Sequence, residues 1–438
     1  AKGGLRRMKK YDEYKDSGVA WIGEVPKHWK IRKIKTLSAV KRGASPRPID
    51  DPKYFAEDGE FSWVRIADVS ASDKYLTTTT QKLSKLGSSL SVKRLPGDIF
   101  ISIAGTVGKP IISSIKCCIH DGFVYFPYLK NMNTEFLYYI FMSGQPYLGL
   151  GKMGTQLNLN TETIGNIDIP YPPITEQTAI ATYLDTHCAK IDNLISIQQK
   201  RIALLQELKQ SVITHAVTKG LNPNVEMKQS GVEWIGDVPK HWEVIKTSLA
   251  FQGIGSGTTP STSKKEYYDD NGKYWLQTGD LEDGIVYDTS KKVSNIAIKE
   301  CNLTFYPIES IIIAMYGATI GKVGILGIES ATNQACCVIP VTKKQIAKYF
   351  FYEFLACKPA LLIAAIGGGQ PNISQDTIKK LKIVIPPINE QTAIASYLDH
   401  KCATIDTSIS NAQHQIELLQ EYKQSLITEV VTGKYKVC

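Results

Sequence analysis

Two segments of this 438-residue chain return almost unchanged more than two hundred residues later, while the stretch between them does not. SGVAWIGEVPKHW, Ser17 to Trp29, recurs as SGVEWIGDVPKHW, Ser230 to Trp242, identical at eleven of thirteen positions. PPITEQTAIATYLD, Pro172 to Asp185, recurs as PPINEQTAIASYLD, Pro386 to Asp399, identical at twelve of fourteen. The offsets are 213 and 214 residues. A chain duplicated in this way must fold as two like units, each long enough to bury its own core. A preserved frame around a rewritten centre predicts one scaffold presenting two different surfaces.

Each copy divides into a short lead segment ending in His-Trp, a mixed middle and a long helix. The helix is the strongest expectation. Pro172-Pro173 and Pro386-Pro387 suit the residues just before a helix start, and Glu176 and Glu390 suit its positive end. No Pro or Gly follows until Gly220 or Gly433. Ile191, Ile195, Ile202, Leu205, Leu208 and Val212 form an apolar stripe, repeated by Ile405, Ile409, Ile416, Leu419, Tyr422 and Leu426. A helix of this kind needs a partner. The other copy is the obvious one, and two separate coiled-coil stalks are the alternative. The middles read as α/β, with short apolar runs such as Ile99 to Ile103 and Ile311 to Ala314 beside turn residues. Shared landmarks (Trp63-Val64-Arg65-Ile66 with Trp275-Leu276-Gln277-Thr278, and Thr106-Val107-Gly108-Lys109 with Thr319-Ile320-Gly321-Lys322) predict a common fold for both.

Composition excludes more than it selects. No run of eighteen apolar residues predicts a membrane span, and the polar, basic start has no secretory apolar region. Nine cysteines without disulfide-like spacing suit a reduced, cytoplasmic protein. A net charge of +9 permits a polyanionic partner without demanding one. Seven scattered histidines make no zinc site, so no metal is expected.

Catalytic motifs fail in detail. Phe251-Gln252-Gly253-Ile254-Gly255 imitates a methyltransferase FxGxG turn, but copy one has no glycine there. Gly317 to Val323 imitates a P-loop, but it lacks one residue between the glycines and has Val where Mg²⁺ would need a hydroxyl. No catalytic residue is expected. A self-contained nuclease or methyltransferase, and an adaptor binding only protein, are the rival readings.

The ordered duplication of SGVxWIGxVPKHW and PPIxEQTAIAxYLD, with Ile202 to Thr218 matching Ile416 to Thr432 at twelve of seventeen positions, resembles the specificity subunit of type I restriction-modification systems. The resemblance covers the chain from Tyr11 onward. It implies two α/β target-recognition domains separated by two long antiparallel helices, related by a pseudo-twofold internal repeat. The corresponding division is recognition domain one with its lead segment at 1–171, helical spacer one at 172–220, recognition domain two at 221–385 and helical spacer two at 386–438. The resemblance further implies a non-enzymatic chain reading a bipartite, asymmetric double-stranded DNA target. Two methyltransferase subunits and restriction/translocase subunits would be its partners. S-adenosylmethionine, ATP and Mg²⁺ would sit on those partners, with no cofactor in this chain. Two readers on one face of a duplex must lie near a whole number of turns apart, which suits a helical ruler.

Candidate DNA-contacting residues lie in loops after the first strand of each middle and around the duplicated turns. In copy one these are Lys41, Arg42, Ser45, Arg47, Lys109, Gln156 and Asn158. In copy two they are Ser256, Thr258, Thr259, Tyr316, Lys322, Asn333, Gln334, Gln370 and Asn372. Arginine suits guanine or phosphate and amides suit adenine, whereas the same amides also serve as turn residues. His120-Asp121 stands where copy two has Asn333-Gln334, so that loop either distinguishes the half-sites or is a tolerated turn.

Overall fold

A computed structural model describes residues 9–148, 150, 159–364 and 372–437. The chain forms two compact units, Ala1–Gln198 with His414–Cys438, and Gln199–Gln413.

The divergent middles have the same sheet topology. In the first unit a five-stranded sheet runs, across its width, Lys41–Arg42, Phe123–Tyr125, Ile99–Ser102, Pro110–Ser113 and Tyr75–Leu76. In the second the order is Gly255–Ser256, Cys336–Ile339, Ile311–Ala314, Val323–Leu326 and Gly284–Val286. Only the last pair is parallel in each sheet. A four-stranded sheet accompanies each: Gln81–Leu83, Phe61–Val64, Cys117–Ile119 and Val92–Arg94 in one unit, and Lys292–Val293, Tyr268–Leu276, Ser330–Thr332 and Phe305–Tyr306 in the other. Central strands such as Ile99–Ser102 and Ile311–Ala314 are buried along their whole length, which explains their unbroken apolar runs. Trp63 and Trp275 are both buried at matching places.

The preserved ends prove to be one polar joint built twice. In the first unit, Glu176 in the opening turn of the long helix accepts from Trp29 Nε1 at 3.0 Å and Tyr11 Oη at 3.0 Å, and pairs with His28 Nε2 at 2.6 Å. In the second, Glu390 accepts from Trp242 Nε1 at 3.0 Å and pairs with His241 Nε2 at 2.7 Å. The neighbouring glutamines lie buried. Gln177 donates to Pro172 O and accepts from Asn133 N, while Gln391 donates to Pro386 O and accepts from Ile346 N. A buried indole N–H needs an acceptor, and the carboxylate supplies it at the end of the helix that favours negative charge. This accounts for His-Trp and Pro-Pro-Ile-x-Glu-Gln recurring together.

A second duplicated joint fixes the middle to the helix. Asp185 accepts from Tyr139 Oη at 2.6 Å and Asp399 accepts from Tyr352 Oη at 2.9 Å. Both aspartates also meet a lysine, but from different segments. Lys348, on the helix Ala347–Ala364 that also carries Tyr352, serves Asp399, whereas its counterpart in copy one is Glu135 and the cation comes instead from Lys74.

The long helices run Ile174–Lys219 and Ile388–Val431, 46 and 44 residues. Each is shared between the units. Within the first unit, Ile180, Leu184, Cys188 and Ile191 bury against Leu426, Ile427, Val430 and Val431 from the far end of the other helix. Within the second, Ile213, Ala216 and Val217 join Ile394, Leu398 and Cys402 in one core. The helix segments are thus antiparallel inside each unit. One ion pair repeats in both: Lys423 Nζ to Asp192 at 2.6 Å, and Lys209 Nζ to Asp406 at 2.7 Å.

The apolar stripe holds at most places. Ile191, Ile405, Ile416 and Leu426 are buried, and Ile195, Ile202, Leu205, Val212, Ile409 and Leu419 are half-buried. Leu208 and Tyr422 are a correction: they are exposed, at 49% and 44%. At ~100° per residue, position 208 falls roughly 80° from the centre of the row through Ile202, Leu205, Val212 and Ala216. The half-buried Lys209 and Lys423 occupy the seam instead, each ending on the partner aspartate.

Candidate nucleic-acid interface

The turns that carry the candidate residues gather at one end of each five-stranded sheet. In the first unit, the edge strand Lys41–Arg42 pairs with Phe123–Tyr125 and leads directly into the loop 43–47. Gly43 N bonds Phe123 O at 2.9 Å, and Ala44 N bonds Ile119 O at 3.1 Å. This is a close approach. A Cβ on Gly43 would come within 2.1 Å of His120 O, and one on Gly257 within 1.7 Å of Thr332 O. That contact explains why Gly43-Ala44-Ser45-Pro46 and Gly257-Thr258-Thr259-Pro260 keep their outer residues and change the inner two. Gly and the buried Pro hold the loop down; Thr258 and Thr259 are exposed and Ser45 is half-buried.

Asp121 is the hub of the first unit's cluster. Its Oδ1 accepts from Ser45 Oγ at 3.0 Å, its Oδ2 accepts from Arg47 Nη2 at 3.2 Å, and its main-chain carbonyl accepts from Arg42 Nε. Burial alone would raise the Asp121 carboxyl, but the Ser45 hydroxyl together with Arg42 and Arg47 outweighs it and holds the group below its ordinary value. His120, tilted against Trp63 and Phe123 with ring centres 5.9 and 4.6 Å away, is pushed down by burial, which outweighs the nearby Asp121, with Arg42 and Arg65 adding to it. Arg65 is exposed and follows Val64, the strand neighbour of Ile119. The structure therefore brings Arg42, Ser45 and Arg47 together at Asp121, with Arg65 near the adjoining His120.

Two other basic candidates stand apart. Lys41 is exposed on the edge strand opposite Tyr125. Lys109 turns inward: its Nζ donates to Ser70 O at 3.1 Å and Ser72 O at 2.6 Å, closing the C-terminal end of the short helix Ile66–Ala71. Burial lowers its pKa, as a half-buried ammonium requires. Its inward carbonyl bonds correct the expectation of an outward-reaching cation.

In the second unit, Ser256 sits on the edge strand opposite Cys337, and Trp275 Nε1 donates to Thr258 O at 3.1 Å. Asn333 N bonds Leu276 O, and its Oδ1 accepts from Ala335 N at 3.1 Å, so its side-chain carbonyl serves the local turn. Gln334 beside it is exposed. Tyr316 forms a bridge with Asn372 next to the turn that ends at the half-buried Lys322. Gln156, Asn158 and Gln370 lie outside the described residues.

The two sheet ends differ in chemistry at matching positions. The first presents Arg42 and Arg47 around one carboxylate, with Arg65 near His120; the second has Ser256, Ser261 and Gln277 at the three arginine positions and Gln334 at that of Asp121. Arg65 and Gln277 were not among the sequence candidates. Their signal was present in the aligned Trp63-Val64-Arg65-Ile66 and Trp275-Leu276-Gln277-Thr278, where chemistry changes at the first residue beyond the strand.

The motifs set aside above have structural explanations. The P-loop-like segment is the tight connection between Ile311–Ala314 and Val323–Leu326. Among the described residues, no group of three His, Cys, Asp or Glu side chains is arranged to hold a metal ion. The vicinal Cys117 and Cys118 lie buried in a strand, where burial pushes their thiols up to about 11 and about 12. Among the described residues, no helix is long and apolar enough to cross a membrane.

Residues 26–207 and 239–418 match the family described as the type I restriction modification DNA specificity domain, once in each copy. A putative type I restriction enzyme MjaX specificity subunit of Methanocaldococcus jannaschii is 26% identical across 95% of this chain and 96% of its own length. The EcoKI specificity subunit of Escherichia coli is 22% identical across 94% and 90%. A chain solved in work on complex assembly and conformational transition of the type I R-M system has a TM-score of 0.72 at 15% identity, covering 93% of this chain and 98% of that one. The HsdS subunit from Thermoanaerobacter tengcongensis gives 0.50 at 15% identity, covering 94% and 98%. At these identities the structural likeness shows the shared fold. Through both of its copies, the chain belongs to the type I restriction-modification DNA specificity family.

Proposed function

We propose that the two units read the two halves of an asymmetric, bipartite DNA target, each through the end of its five-stranded sheet. The observation that carries this reading is the pairing of one topology with two chemistries: an arginine cluster around Asp121 in one unit, hydroxyls and amides at the matching places in the other. Identical scaffolds with dissimilar tips suit two unlike half-sites. Major-groove edges differ in donor and acceptor pattern for every base pair, so tips of different chemistry select different sequences.

In this reading the chain is non-catalytic and works in the cytoplasm. Its duplicated helices and joints hold two methyltransferase subunits, with restriction/translocase subunits joining for cleavage. S-adenosylmethionine, ATP and Mg²⁺ belong to those partners. The long helices act as the ruler between half-sites, so their length sets the unread spacer.

Methylation sequencing of a host carrying this chain with its partners tests the proposal. A bipartite methyladenine motif dependent on the chain is expected. Exchanging residues 38–168 for another recognition region should change one half and leave the other. Methylation at a continuous palindrome, or a change in both halves, contradicts the reading. The purified chain should bind DNA with an affinity that falls steeply with salt, since phosphate contacts release counterions. It should bind no S-adenosylmethionine.

A further inference from the structure

Within that DNA-recognition reading, we infer that Arg42 is a base-reading residue: it takes a guanine in the half-site facing the first unit, end-on through its two terminal nitrogens. The second unit has no matching requirement, because Ser256 stands at the equivalent place.

Three features separate this arginine from an ordinary surface cation. Its main chain is fixed, since Arg42 is paired in the sheet opposite Val124 and the next two residues bond Phe123 O and Ile119 O. Its guanidinium is oriented, because Nε donates to the main-chain carbonyl of Asp121. Among the described residues its Nη1 and Nη2 meet no protein acceptor, and these two donors form the edge that matches guanine O6 and N7.

The surroundings keep that edge available. The Asp121 carboxylate would compete for it, but its two oxygens are engaged by Ser45 and Arg47. Ser45 and Arg47 thus occupy both oxygens of a carboxylate that still lies within the field of Arg42. His120 beneath the loop is kept from protonation by burial and so adds no repelling charge. Arg47, whose side chain is 75% exposed, already spends its Nη2 on Asp121, so it lacks two free terminal nitrogens and suits a phosphate contact.

The test is methylation sequencing with the complete set of subunits, comparing wild type, Arg42→Ser and Arg42→Lys. The wild-type motif should contain an invariant G·C pair in one half-site. Arg42→Ser installs the residue of the second unit and should lower the preference for that pair by about 5- to 150-fold, with the other half-site unchanged. Arg42→Lys should lose the preference as well, since an ammonium is a point charge without a fork. If Arg42→Ser weakens methylation equally for every base and Arg42→Lys restores it, the residue holds phosphate and the inference is overturned. A bipartite motif with no invariant G·C pair in either half also overturns it, whatever the variants do, and leaves the recognition reading standing. No methylation dependent on this chain removes that reading, and the inference with it.

Discussion

The fully buried carboxyl of Glu353 accepts the main-chain N–H of Val384, and the equivalent residues of copy one are Ile140 and Pro170. Proline has no N–H to satisfy, and there the partner is a hydrocarbon. Where copy two has valine, an N–H points into the core and a carboxyl meets it. The two residues have therefore changed as a pair, and an acidic group in the deepest part of a core follows from the donor beside it.

Glu353→Ile alone should leave the Val384 N–H without an acceptor and cost about 1–3 kcal/mol. Combined with Val384→Pro, the loss should be smaller than the sum of the single effects. Urea unfolding of the four proteins in the cycle measures this coupling. Additive losses would show that the two residues are independent.

Burial holds the Glu353 pKa well above its ordinary 4.5, so the folded chain keeps a proton that the unfolded chain releases. The contribution is fully present below pH 4.5 and is lost as pH rises toward the folded value. Stability of the wild type should consequently carry a downward slope with rising pH above 4.5 that Glu353→Gln removes. Denaturation midpoints measured across that range check the sign.

Leu205 and Leu208 are close in sequence and opposite in consequence. Leu205→Asp places a charge in the half-buried seam and should destabilise by roughly 2 kcal/mol or more. Leu208→Asp alters an exposed position and should stay within about 0.5 kcal/mol. Thermal unfolding of the two variants separates the seam from its neighbour.

Glu176→Ala removes the acceptor of the buried Trp29 indole and should cost about 2 kcal/mol, whereas Glu176→Gln retains an oxygen there and should cost less. Tryptophan fluorescence during unfolding reports the change. Equal losses for both variants would show that charge, rather than the hydrogen bond, matters at this joint.

Lys74→Ala should destabilise the first unit by about 1–2 kcal/mol, since Asp185 keeps only the Tyr139 hydroxyl. Adding Glu135→Lys restores the arrangement of copy two, in which Lys348 serves Asp399, and should recover most of the loss. Denaturant midpoints of the single and double variants decide it.

The frame was legible because it repeats and obeys local rules. Prolines, an acidic first turn and an uninterrupted apolar stripe mark the helices without reference to anything distant. Leu208 shows where that reasoning fails: hydrophobicity favours the leucine, but the seam passes through Lys209, whose ammonium is stabilised by an aspartate 197 residues away. Lys109 fails in a similar way, since a lysine in a turn becomes an internal brace only when carbonyls such as those of Ser70 and Ser72 are brought beneath it. Asp121 was visible as a difference between copies. Its role as a hub depended on Arg42, Ser45 and Arg47 meeting it from 74 to 79 residues away. The shared landmarks at Trp63 and Trp275 and at Gly108 and Gly321 pointed to one fold for both middles, but most of their strands are too short to show the strand order.

The pinned glycine in each sheet-end loop limits how this protein can diversify. A methyl group at Gly43 or Gly257 would collide with main chain, so this position is closed to mutation, while residues 42 and 47 on either side are exposed and 44 and 45 are half-buried. The loop behaves as a combinatorial cassette on a fixed post. Libraries that keep Gly43 and Pro46 and randomise their neighbours should yield new specificities without losing the fold, and lineages under pressure to alter what they protect have the same route available.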